Sequence, residues 1–199
     1  TGSFEAASDF RFAWRGDLAL DNFRANVQTG DVRLLAGGTL TVKGQSSIMA
    51  LSSVVLCSRG RLDITDGYVL SWNAIELGGL SCGSQGDISL SASKVVAPSM
   101  DVSSKEGAVH LGHQGNLMAR KLRIFARTAQ LSGINSSIAS AQVLVQAEGL
   151  LSIGAIFGRN DAAVELRAGT ELHLGTSMTI WKVQRLVAVA KSLTVLGSQ

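Results

Sequence analysis

The chain has 199 residues, with 22 Gly, a single Pro, 5% aromatic and 17% charged residues and a formal net charge of +3, so it is long enough to bury a substantial core of small and aliphatic side chains. No run of about 18 apolar residues occurs, which excludes a transmembrane helix within it despite a mean hydropathy of +0.25. The Lys and Arg are too few in excess and too scattered for a nucleic-acid footprint, and two cysteines, Cys57 and Cys82, allow one bridge but no disulfide framework.

Read from the N-terminus, alternating apolar pairs recur at a fixed period. The first to appear is Phe10/Phe12, continued by Val32/Leu34, Val54/Leu56, Ile75/Leu77, Met100/Val102, Leu122/Ile124, Val143/Val145, Val164/Leu166 and Leu186/Ala188, with steps of 22, 22, 21, 25, 22, 21, 21 and 22 residues. A parallel series begins at Leu18/Leu20 and runs through Leu40/Val42, Leu62/Ile64, Ile88/Leu90, Val109/Leu111, Ala129/Leu131, Leu151/Ile153 and Leu172/Leu174 to Leu193/Val195, with steps of 22, 22, 26, 21, 20, 22, 21 and 21. Both stretch between the same two repeats, which places an insertion of about four residues in the segment Gly78 to Asp87. A looser third series, Val27, Ile48, Val69, Val95, Leu117 and Ile138, falls between them and fades beyond that point.

Period-two alternation over four or five residues marks a half-buried strand, because successive side chains point to opposite faces. Three such strands per repeat, joined by Gly, Ser, Asn and Asp, predict an all-β fold. It is a right-handed parallel β-helix (β-solenoid) of about nine coils of 21–22 residues, forming a single domain over residues 1–199. Gly16, Gly30, Gly60, Gly86 and Gly107 fall at turns, where positive φ is expected. The competing arrangement, an antiparallel sandwich, also has short strands with frequent turns, but would not hold two series in step over nine cycles. Since Phe10/Phe12 and Leu193/Val195 are still in phase, neither end reads as a polar cap. The expectation is that the chain is a section of a longer solenoid, or that a partner covers an end.

The stretches VLVQAEGLLSIGA, AVELRAGTELHLG and LVAVAKSLTVLGS resemble the β-helical ectodomains of the sarcoglycans and, more generally, the repeats of filamentous-haemagglutinin-type adhesins. The resemblance implies an extracellular structural or adhesive role without catalysis.

In a solenoid, outward residues at equivalent positions stack about 4.8 Å apart. Between the paired positions of the Phe10/Phe12 series lie Arg11, Arg33, Val55, Glu76, Asp101, Arg123, Leu144, Glu165 and Val187. Glu76 and Asp101 would then be adjacent carboxylates beside Arg123. They are candidates to bind Ca²⁺ or share a proton in a β-helical polysaccharide-binding or polysaccharide-degrading protein, or else rungs of a surface charge ladder. Val55, Leu144 and Val187 would be apolar and outward, as part of an interface with another chain or loop, together with Phe10, Phe12, Leu193 and Val195 at the ends.

His110 and His173 fall three coils apart, and His113 should face away from His110, so no zinc pair is expected. Cys82 lies in the inserted loop one coil after Cys57, giving either a disulfide that pins the loop or two free thiols. No cofactor or metal is expected. The leading expectation is a non-enzymatic scaffold, extracellular or at a cell surface, that forms oligomers or a membrane-associated complex through its ends or one flat face, with protein partners or copies of itself and with glycans as further candidates. A cytoplasmic filament-forming solenoid is the other alternative.

Overall fold

The computed structural model describes residues 2–78, 85–154, 156–175 and 180–196. Among these are 22 strands and no helix, and every ladder is parallel. The protein is a parallel β-solenoid of about eight turns: nine strands stack in one face, from Leu18–Asp21 to Ser192–Val195, with eight steps between first and last. We call this face 1. Its register places Leu18 against Leu40, Leu40 against Leu62, Leu62 against Ile88 and onward to Leu193, so the insertion is taken up within a single 26-residue step.

Face 2 carries the Phe10/Phe12 series. Phe10 pairs with Val32, Val54 with Ile75, Ile75 with Met100, and Val164 with Leu186. Face 3 precedes it in each coil. In the first four coils faces 2 and 3 are separate strands, but from Lys94–Ser103 onward each coil runs through the corner as one long strand, so the two faces form a single 13-stranded sheet. The corner survives as a break in alternation. In Lys94–Ser103, Pro98 and Ser99 are both exposed between buried Ala97 and Met100, while the pairing keeps one register on either side of the corner.

The two sequence series are the core. Leu40, Leu62, Ile88, Leu131, Leu151 and Leu172 are fully buried, as are Val32, Val54, Leu77 and Val102; each large aliphatic side chain so buried contributes about 1.5–3 kcal/mol relative to exposure. The edges where faces meet are too narrow for such residues. Ala50, Ser71, Ala97, Ala119 and Ser140 line one edge, and Ala36, Ser58, Ala126, Ala147 and Ala168 another.

One expectation about the third series needs correction, and its fading has a structural reason. In the third series, Ile48 stacks on Ala25 and not on Val27, which instead lies against Ala50; both are buried, and one side-chain period separates them. The series fades after Ile138 because Ile138 pairs with Phe157, a step of 19, whereas Gln142 pairs with Ala163, a step of 21: a register shift on the strand Ile156–Ala168 absorbs the difference.

The turn glycines also have a different reason. Among the described residues only Gly44 and Gly78 are glycines with positive φ. Gly44 holds the left-handed position at the exit of face 1 in its coil, and other coils use Asn22, Asp66, Ala92, Gln114 and Asn135 there, at φ of 46–56°. Gly16, Gly38, Gly60, Gly86 and Gly107 form a column in which backbones meet along the axis: Gly38 N donates to Gly16 O and Gly60 N to Gly38 O, each at 3.0 Å. A methyl on Gly86 would overlap the Gly60 carbonyl, and one on Gly107 would overlap Gly86.

Aspartates bridge successive coils at these corners and, in the case of Asp31, at the corner between faces 3 and 2. Asp17 Oδ1 accepts the N–H of Thr39, Asp87 Oδ1 that of Ala108, and Asp31 Oδ1 that of Ser53, at 2.7–3.0 Å.

Among the described strands, those of the first and last coils pair on one side only. Inward positions that are sealed elsewhere are open there: Phe12 is 40% exposed, Leu193 57% and Val195 64%, while Phe10 is half-buried.

Candidate functional site: a charged trough on face 2

The outward column of face 2 is built as the repeat requires. Arg11 lies opposite Arg33, Arg33 opposite Val55, Val55 opposite Glu76, Glu76 opposite Asp101, Asp101 opposite Arg123, and the column continues through Leu144 and Glu165 to Val187. Glu76 and Asp101 are therefore neighbouring carboxylates. Arg123 Nη2 donates to Asp101 Oδ2 at 2.7 Å, which ties the Asp101 side chain to the next coil and leaves the pair half open to water.

Charges elsewhere on the face pair along the strand. Arg33 lies 3.4 Å from Asp31 and Arg167 Nε 2.7 Å from Glu165. The Asp31 carboxyl is held below the usual range, chiefly by a hydrogen bond from the Ser52 side chain and also by the Ser53 N–H and Arg33, against the opposing effect of its partial burial.

Three clefts lie along this face and run into one another. The first, beside Trp14 and Leu35, shares Arg33 and Val55 with the second; the second, of about 800 Å³, contains Glu76, Asp101, Lys105 and Phe125 and shares Arg123 with the third, which reaches Val187. Together they make one trough along the axis. The sequence column supplies its floor. Reasoning from that column alone missed Phe125, Gln146 and Leu35, which belong to a second outward column two residues further on. It also missed Lys121 and Arg185, which flank the floor on the other side. Stacking every outward position in the same register would have found them.

Apolar residues break the charged run where expected. Val55 and Leu144 are partly buried and Val187 lies in the third cleft. Face 1 is different: its outward column includes Thr41, Asp63, Ser89, His110, Gln130 and Ser152. His110 stands between Ser89 and Gln130, and His173 is 3.1 Å from Glu171. His113 sits in the corner beyond, where its carbonyl accepts the N–H of Ala92. Among the described residues, no group of three or more His, Cys, Asp or Glu side chains is placed to hold a metal ion, and Glu76 with Asp101 is a pair. Cys57 lines the first cleft and is disulfide-bonded; Cys82 lies outside the described residues.

No protein-family model matches the chain, and no match was found among the curated proteins or the solved structures compared with it. The likeness to sarcoglycan-type and haemagglutinin-type repeats therefore extends to the solenoid format, which the structure has, and no family is assigned.

Proposed function

We propose that the protein is a non-enzymatic structural or adhesive scaffold acting outside the cell or at its surface. The observation that carries this reading is the unbroken core. From Leu40 to Leu172 the inward residues of face 1 stay sealed coil after coil, joined by parallel ladders throughout. Such a stack is a rod, about 38 Å long over eight steps of strand spacing, and it holds its outward columns at fixed intervals.

Two further features support the reading. A disulfide at Cys57 suits an oxidising compartment and weighs against the cytoplasmic filament. The apolar residues open at the first and last coils, Phe12, Leu193 and Val195, suit contact with further solenoid, in this chain or another, through strand edges that still offer backbone partners.

The test sets the scaffold against the glycan-degrading alternative. The protein is incubated with soluble polysaccharides and polymer length is followed by gel filtration, in parallel with Glu76→Ala and Asp101→Ala. A scaffold leaves every polymer at its original length. Depolymerisation by the wild type that disappears in the two variants, with their circular dichroism unchanged, would overturn the reading.

A further inference from the structure

The charge of this protein is not spread evenly. The first cleft brings Arg15, Arg33 and Arg59 together beside Trp14, which is 55% exposed. The middle cleft adds Lys105 and Arg123 against Glu76, Asp101 and Glu148, with Phe125 on its wall. The third adds Lys121 and Arg185 against Glu165. The trough is thus lined by seven basic residues and four acidic ones, an excess of three positive charges.

We infer that the trough is a binding site for a linear acidic polysaccharide, a glycan carrying carboxylates at intervals with hydroxyl groups between them. Three features select that class. First, the site is extended and regular: successive coils repeat about every 4.8 Å, so an elongated polymer meets an equivalent position at each step. A compact ligand would use only one of the three clefts.

Second, the trough carries charges of both signs. Guanidinium groups bind carboxylates through paired N–H donors, while Glu76, Asp101, Glu148 and Glu165 accept hydrogen bonds from hydroxyls. Those four carboxylates would repel a nucleic acid, whose duplex presents one phosphate charge about every 1.7 Å, but they match the uncharged stretches of a glycan. Third, Trp14 and Phe125 offer flat apolar surfaces against which the C–H faces of sugar rings can lie, the usual amphipathic use of aromatic side chains in binding clefts.

This deepens the adhesive reading by naming what the rod adheres to. The two fail separately: a rod that ignores acidic glycans leaves the polymer-length result untouched.

The test is electrophoresis of the 199-residue protein through native gels containing polygalacturonate, a neutral linear glucan, or a single-stranded oligonucleotide. Polygalacturonate is expected to retard the protein, less so as salt rises, and the other two are not. Arg59→Glu combined with Arg185→Glu, which reverses charge at opposite ends of the trough, is expected to weaken retardation at least about tenfold. Arg24→Glu, on face 3, is expected to leave it unchanged. Equal retardation by the glucan or the oligonucleotide, wild-type retardation of the double variant, or an equal loss in Arg24→Glu would each overturn the proposal. Circular dichroism confirms that each variant is folded before its mobility is read.

Discussion

Arg123 Nη2 and Asp101 Oδ2 lie 2.7 Å apart although 22 residues separate them in sequence, because one turn of the solenoid sets the two residues side by side. Both side chains remain partly exposed, 49% and 29%, so the ion pair is screened by water and is worth about 0.2–1 kcal/mol. A double-mutant cycle of Arg123→Ala and Asp101→Ala, read by urea denaturation, should give a coupling energy in that range. A coupling well above it would mean that the pair is far less open to solvent than it stands here.

Replacing Gly86 by Ala should destabilise the protein by about 3 kcal/mol. The new methyl meets the backbone of Gly60 and Arg61, and neither can move without disturbing the ladder of its own coil. Gly2→Ala, where nothing lies within 4 Å, should change stability by less than about 0.5 kcal/mol. Thermal or urea unfolding of the two variants side by side separates a steric role for the corner glycine from a purely conformational one.

Ala92 holds φ at +46°, a conformation that costs an L-residue about 1–2 kcal/mol. Equivalent corners carry Asn22, Asp66 and Asn135, whose short polar side chains tolerate it. Ala92→Asn should therefore raise stability by about 0.5–1 kcal/mol, seen as a higher urea midpoint with unchanged slope.

Acid should weaken the corner between faces 3 and 2. The Asp31 carboxyl titrates lower when folded than when unfolded, so the stability it contributes is complete above the unfolded value, about 3.9, and is lost as pH falls through the folded one. Asp31→Asn should be less stable than wild type at pH 7, and the difference should shrink below about pH 4. A difference that persists unchanged at pH 2 would show that the hydrogen bonds to Ser52 and Ser53 do not depend on the charge.

The period, the position of the insertion and the facing of Glu76 and Asp101 were all legible in the sequence, since they follow from alternation and spacing alone; three separate strands per coil hold only for the first four coils, because from Lys94 onward two of the faces merge into one strand. What escaped was set by backbone approach and by edges. Val27 was placed one side-chain period away from its true partner, because the corner after it is longer than the later ones: buried Val27 and Val32 are five residues apart, but Met100 follows Ala97 by three. The reason for Gly60 and Gly86 was hidden because a glycine needed for contact and one needed for positive φ look alike in sequence. The breadth of the trough was missed because Lys121 and Phe125 lie off the column that the apolar pairs advertise.

The pairing of every strand with only the coils next to it also governs how the molecule would yield to force. Pulled by its two termini, it has no strand pairing among the described residues that ties the first coil to the last, so tension would peel coils from an end one at a time. Each release would free one repeat of 20 to 26 residues, or about 75 Å of slack for a typical coil. The expected trace is a series of small, evenly spaced drops in place of one abrupt rupture.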